Sequence, residues 1–307
     1  MTFYVRSLCL LGTSAMLVVA AFVTRGATAQ EVRKSESKKP VASKPNTDQE
    51  FVRLLKSDKN KPVALQTAVT TYVAANGRAE GLQVALIGAI HIGEKAYYAE
   101  LNKRFKEYDA VLYEMVADPN QVPTKASEAG SRSAVSSLQM GMKDLLGLAF
   151  QLDEINYRAK NFVHADMNPE EFADSMKNRQ EGMLQILMRS MGSGLALQGS
   201  GKANDLGMIT AFFSSNRELA LKRALAEQFE LLGGQMAAIE GDDGKSTLIT
   251  ERNSKALDVL RGQIKAGKTN LAIFYGAGHF KHMDVELRNE FKLRPTKVEW
   301  LDAWDLR

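Results

Sequence analysis

Two of the four histidines in this chain close copies of one short pattern. Gly88-Ala89-Ile90-His91 ends the apolar run Leu82-Gln83-Val84-Ala85-Leu86-Ile87, and Gly276-Ala277-Gly278-His279 ends Leu271-Ala272-Ile273-Phe274-Tyr275. Each run reads as a buried strand, so each pattern sets a small-residue turn and then an imidazole at a strand's carboxyl end. Open α/β sheets bind ligands outside those ends. Two imidazoles delivered there can share one site, and Gly88, Gly276 and Gly278 allow the close backbone approach that such turns need. The blander reading is two unrelated histidines, each satisfied in the core or at the surface.

Glu114 is the third candidate. It stands in the apolar run Ala110-Val111-Leu112-Tyr113-Glu114-Met115-Val116. A carboxylate in a largely buried strand must be paired, coordinated or protonated. Two imidazoles and one carboxylate make an open metal site of the hydrolytic kind, so His91, His279 and Glu114 are candidate ligands for a divalent ion. This donor set does not choose among zinc, manganese and cobalt. Glu114 could instead be a general base, or form a structural salt bridge to an arginine. Stability separates these roles. A catalytic carboxylate in a cleft predicts that Glu114→Gln leaves the metal-free chain as stable or more so, whereas a structural ion pair predicts a loss.

The remaining polar candidates are weaker. His164 and Asp166, two apart in Asn161-Phe162-Val163-His164-Ala165-Asp166, are expected to face one side of a short strand as substrate contacts or supports of the histidines. Glu251, Arg252 and Asn253 could orient a ligand or polarise a carbonyl. On its own, that tripeptide reads as an ordinary exposed helix turn. His282 is a spare ligand three residues past His279.

The elements that must position these groups follow from periodicity. A partly alternating Val63–Val73 segment and the first His-ending strand flank Asn76-Gly77, a hairpin signal. Apolar residues Ala96, Tyr97, Leu101 and Phe105 recur at helical spacing between Glu94 and Tyr108. Strand, helix, strand is a βαβ unit, which places the Glu114 strand near the one ending in His91. Residues from Pro169 to about 241 read as helical, and residues 120–245 as a helical insertion that covers the strand ends as a lid. Its methionines, among them Met176, Met183, Met188, Met191, Met208 and Met236, suit core packing or an adaptable binding surface. Helices at Ser246–Ala266 and Met283–Phe291 and a strand at Lys297–Ala303 complete the chain. The fold class is α/β, a central mostly parallel sheet with a helical insertion.

Composition bounds the setting. Arg6, an apolar stretch from Leu8 to Val23 and then Ala27-Thr28-Ala29 describe a secretory signal cleaved after Ala29. An uncleaved N-terminal membrane anchor is the alternative, because the stretch is marginally long enough to span. Residues 30–48 read as a disordered linker, and residues 49–307 as one folded domain. The only cysteine, Cys9, lies in the signal, so the mature chain has no thiol nucleophile, thiolate ligand or disulfide. Loss of Arg6 and Arg25 with the signal takes the formal charge from +4 to +2, too balanced to imply nucleic acid. The basic run from Arg33 to Lys39 is a solvated linker face, or a peripheral contact with an anionic membrane. Oligomeric state is not encoded in any of these features.

In these motifs the chain resembles the TraB/GumN/TIKI superfamily, which is also linked to erythromycin esterase-like proteins. The resemblance is carried by Leu86-Ile87-Gly88-Ala89-Ile90-His91-Ile92-Gly93, Tyr108-Asp109-Ala110-Val111-Leu112-Tyr113-Glu114, Glu251-Arg252-Asn253 and Gly276-Ala277-Gly278-His279, and it spans roughly residues 82–282. It implies a TIKI/erythromycin esterase-like α/β core with a helical insertion. For the TIKI branch it implies metal-dependent peptide hydrolysis, for the esterase branch hydrolysis of a cyclic ester, and a haem-binding branch also exists. Transferred by position, His91, Glu114 and His279 are catalytic or metal-binding, supported by Arg252 and Asn253. The chain departs from many relatives at Phe280-Lys281-His282, where they continue with a small glycine-containing turn, and the middle region has no match. The function expected is an exported metal-assisted hydrolase acting on a peptide or small ester. The alternative is a non-catalytic haem- or peptide-binding protein on the same fold.

Overall fold

A computed structural model describes residues 50–74, 81–121, 145–179, 181, 210–233 and 245–307. The expected signal and linker lie outside the described residues, as do Asn76-Gly77 and Met183, Met188, Met191, Met208 and Met236. In chain order the elements are β1 (Val52–Lys56), β2 (Pro62–Ala74), β3 (Gln83–Ala89), β4 (Ile92–Gly93), α1 (Lys95–Phe105), β5 (Ala110–Tyr113), β6 (Ala149–Phe150), α2 (Gln151–Glu154), β7 (Phe162–His164), α3 (Pro169–Asn178), α4 (Arg217–Gly233), α5 (Arg252–Lys265), β8 (Asn270–Gly276), α6 (Phe280–Asn289) and β9 (Leu293–Asp305).

Seven strands form one mixed sheet, in the order β1-β2-β3-β8-β5-β7 with β9 also on β2. β3, β8, β5 and β7 run parallel, while β1, β3 and β9 pair antiparallel with β2. The β2–β3 pairing is the hairpin the sequence predicts, with Val73 opposite Gln83. The Glu114 strand is close to the His91 strand but not beside it, because β8, the second histidine strand, lies between them.

The parallel strands are apolar on both faces because both faces are covered. Ala85, Ile87, Val111, Tyr113, Ala272 and Phe274 point to one side and pack on Tyr97, Tyr98, Leu101 and Phe105 of α1. Their neighbours Val84, Leu86, Leu112, Leu271 and Ile273 point to the other side, onto Ala256, Leu257 and Leu260 of α5 and Phe280, Met283 and Leu287 of α6. Alternating side chains of one strand thus serve two cores.

The 120–245 segment, read as a helical insertion with a short strand at Asn161–Asp166, is not an insertion outside the sheet. It contains β6, and it contains β7, which is an outer strand of the main sheet. β7 falls within Asn161–Asp166, where the sequence predicts a short strand, and its pairing with β5 makes it an outer strand of the main sheet. Lys222 of α4 is 7% exposed and reaches Glu94 at 2.9 Å, tying that helix to the turn that carries His91.

Candidate functional site

The four parallel strands end on one edge. Ala89 pairs with Gly276, Tyr113 with Phe274, and Tyr113 with His164. His91, His279, Glu114 and Asp166 therefore all follow the carboxyl ends of neighbouring strands, where ligands of open α/β sheets bind.

The His91 turn is held by aromatic donors. Tyr97 Oη donates to Gly88 O at 2.6 Å, Tyr98 Oη to Ile90 O at 2.7 Å, and Trp304 Nε1 to Ile92 O at 2.6 Å. Gly88 is needed for close approach, since a Cβ there would stand 3.1 Å from Thr67 Cβ. The His91 ring is half-buried. Desolvation lowers its pKa, opposed by Glu114 and reinforced by Arg252, so the imidazole is neutral near neutral pH.

Glu114 is anchored at both oxygens. Oε1 accepts from Arg252 Nη2 at 2.7 Å, and Oε2 accepts from the Gly276 N–H at 2.7 Å. A Cβ on Gly276 would stand 3.2 Å from that Oε2, so glycine at this position lets the carboxylate reach the backbone. Burial alone would raise the Glu114 pKa, but Arg252 and then His279 outweigh it and hold the carboxyl well below its usual range. The salt bridge considered from sequence therefore exists, and it lies inside the candidate site.

Arg252 and Asn253 are not an exposed helix turn. They are 2% and 0% exposed. A π-helical turn, Thr247–Glu251, precedes them, with Glu251 N–H bonded to Ser246 O five residues back. Such an inserted residue shifts helical phase and is common at functional sites. Arg252 grips Asp166 with Nε at 2.9 Å and Nη2 at 2.6 Å, the fork geometry of guanidinium on carboxylate. Its Nη1 is buried and has no acceptor among the described residues.

Asn253 assigns the His279 tautomer. Asn253 Nδ2 donates to the carbonyl of His279 at 3.0 Å, which fixes the amide's orientation. Asn253 Oδ1 then faces His279 Nδ1 at 2.6 Å, and an amide oxygen only accepts, so Nδ1 carries hydrogen. His279 Nε2 is left pointing inward, 3.5 Å from Glu114 Oε1.

The other candidates divide. Asp166 is in the cluster through Arg252. His164, expected on the same side as Asp166, instead bonds Met115 O at 2.7 Å, because β7 ends at His164 and its alternation does not extend to residue 166. Glu251 faces Arg179, 3.7 Å away, and His282 Nδ1 lies 3.3 Å from Asn253 Nδ2. Sequence reasoning missed Gln151, whose N–H donates to His91 O at 2.9 Å, and Tyr157, whose hydroxyl accepts from Gln151 Nε2 at 2.7 Å. Neither sits in a motif that periodicity would single out.

In donor chemistry the residues fit a divalent ion: His91 is a neutral imidazole, His279 directs Nε2 inward, and Glu114 is ionised. Glu114 is the least available donor, since its oxygens already receive Arg252 and Gly276. Among the described residues, no three His, Cys, Asp or Glu side chains form a ready metal-holding group. Compared with known protein families, curated proteins and solved structures, the chain matches none.

Proposed function

We propose that this chain is an exported hydrolase of the TraB/GumN/TIKI type that cleaves a peptide or ester bond. The observation that supports this most is the convergence of His91, Glu114 and His279 at parallel strand ends, with Arg252 and Asn253 behind them. A carbonyl oxygen entering the cluster would find Arg252 Nη1, a buried donor with no acceptor among the described residues. Glu114 is a poor general base at neutral pH, because its conjugate acid is too strong. Its role in this reading is a fixed negative charge that stabilises positive charge beside it. With no ion bound, the neutral His91 ring, half-exposed, is the group suited to take a proton from water; with an ion bound, that same lone pair would be a ligand instead.

In this reading a divalent ion would be held by His91 and His279 Nε2 next to Glu114, and when bound it would supply a water of lowered pKa and polarise the carbonyl. Export after cleavage near Ala29 belongs to the same proposal. Among the described residues no helix is long and apolar enough to cross a membrane.

The test is hydrolysis of peptide and ester libraries by the mature chain, with and without chelator, beside His91→Ala and His279→Ala. Turnover lost in both variants supports the reading, and its sensitivity to chelator decides the ion. No turnover of any substrate, together with a strong Soret change on haem addition that disappears in His279→Ala, would overturn it in favour of a haem-binding protein.

A further inference from the structure

An imidazole points one ring nitrogen steadily at a reacting atom only when its other nitrogen is occupied. For His279 the occupant is Asn253. No motif supplies one for His91, but the two-stranded sheet does. β4 and β6 pair antiparallel, with Ile92 opposite Phe150 and Gly93 opposite Ala149. One step further in the same register, His91 stands opposite Gln151, and the Gln151 N–H donates to His91 O at 2.9 Å. Residues directly opposed in an antiparallel pair present their side chains to each other on one face.

The Gln151 amide is committed at one end and free at the other. It is 6% exposed, and its Nε2 donates to Tyr157 Oη at 2.7 Å. Its Oε1 is a buried acceptor with no partner among the described residues. Such an oxygen is costly to leave unmatched. The residue across the strand pair is His91, whose ring offers a hydrogen-bond donor. In a neutral imidazole one nitrogen bears hydrogen and the other a lone pair.

We propose that Gln151 is the positioning residue of His91: its Oε1 accepts the hydrogen of one ring nitrogen, sets the tautomer and turns the other nitrogen toward Glu114 and His279. Tyr157 keeps the amide the right way round by occupying Nε2. The site then has one design used twice, an amide side chain behind each histidine, Asn253 from α5 and Gln151 from the start of α2. This rests on the reading of His91 and His279 as the working pair.

The experiment is nitrogen-15 NMR of the full chain labelled at histidine, in chelator. With four histidines, the His91 ring is assigned by the signals lost in His91→Gln. We expect one tautomer for His91 in the wild type, with a ring N–H that exchanges slowly. Gln151→Glu, which keeps an acceptor, should retain that tautomer. Gln151→Leu should give averaged ring-nitrogen shifts of a tautomer mixture, and a kcat lower by about 10–100-fold with KM little changed. Unchanged His91 shifts in Gln151→Leu overturn the proposal, whatever happens to kcat. A mixed tautomer in the wild type also overturns it, and that measurement does not depend on any variant folding. A tautomer change without loss of turnover supports the positioning role and counts instead against His91 as a hydrolytic residue.

Discussion

Glu114→Gln and Arg252→Met should both weaken the fold, and unequally. In the wild type, Arg252 joins Asp166 by two hydrogen bonds, at 2.9 and 2.6 Å, and Glu114 by one at 2.7 Å. Replacing Glu114 by glutamine leaves the guanidinium paired with Asp166, so no buried charge is orphaned. What is lost is a charge-assisted hydrogen bond, and the new NH2 must face either Arg252 or the Gly276 N–H, donor against donor. That costs about 1.5–3 kcal/mol. Arg252→Met removes the cation that pairs with both Glu114 and Asp166, whose side chains are 8% and 0% exposed. Two buried carboxylates are then uncompensated, which costs about 3–5 kcal/mol.

The sign of the pH dependence follows from Glu114. Its folded pKa lies well below the ordinary carboxylate value, so its contribution is present above the unfolded pKa of about 4.3 and is lost as pH falls through the folded pKa. The gap between wild type and Glu114→Gln should therefore be full at pH 7 and shrink in acid. Thermal or urea melts in chelator, which removes any metal linkage, measure both variants. At roughly 2–4 °C per kcal/mol for a domain of this size, Arg252→Met should melt roughly 6–20 °C below wild type, with Glu114→Gln between them. A Glu114→Gln chain as stable as wild type at pH 7 would falsify this account. It would restore the sign expected for a carboxylate held only for catalysis.

Three further outcomes follow. Asn253→Leu should lower turnover about 10–100-fold by freeing the His279 ring, while Asn253→Asp, which keeps an acceptor for Nδ1, should recover most of it; equal loss in both would remove the orienting role. Gly276→Ala sets a Cβ 3.2 Å from Glu114 Oε2, so it should cost about 1–3 kcal/mol by overpacking and reduce turnover; wild-type melting and rate together would show that the carboxylate does not need that approach. Metal analysis of the mature chain after loading should find one divalent ion per chain and none in His91→Ala or His279→Ala, and its absence from wild type under every loading condition would remove the ion from the proposed reaction.

The parts of the site legible in sequence are those whose position follows from strand ends. Buried parallel strands are apolar on both faces, and Gly-X-X-His after each marks its own end, so His91 and His279 could be placed together before any coordinates. Glu114 was legible for a related reason: a carboxylate directly after Ala110–Tyr113 cannot be left without a partner. What could not be read was which partner it has. The guanidinium that holds it comes from a helix 138 positions later in the chain, and no local pattern reports a contact of that range.

Arg252 and Asn253 were set beside the histidines by the family resemblance, and their own local pattern shows why periodicity alone did not place them. Two adjacent polar residues at a helix start ordinarily face water, and a regular helix points successive side chains about 100° apart. Here the π-helical turn at Thr247–Glu251 adds a residue before them, and Ser246 and Thr250 absorb its irregular hydrogen bonds. The helix therefore enters α5 in a phase that buries both side chains, one against Asp166 and Glu114 and the other against His279. Gln151 was hidden for the complementary reason. Its place opposite His91 is set by a strand pair of two residues each, too short to leave a period in the sequence. The histidines and the carboxylate were visible because each ends a strand. The residues that orient them are specified by register and helix phase, which exist only once the chain has folded.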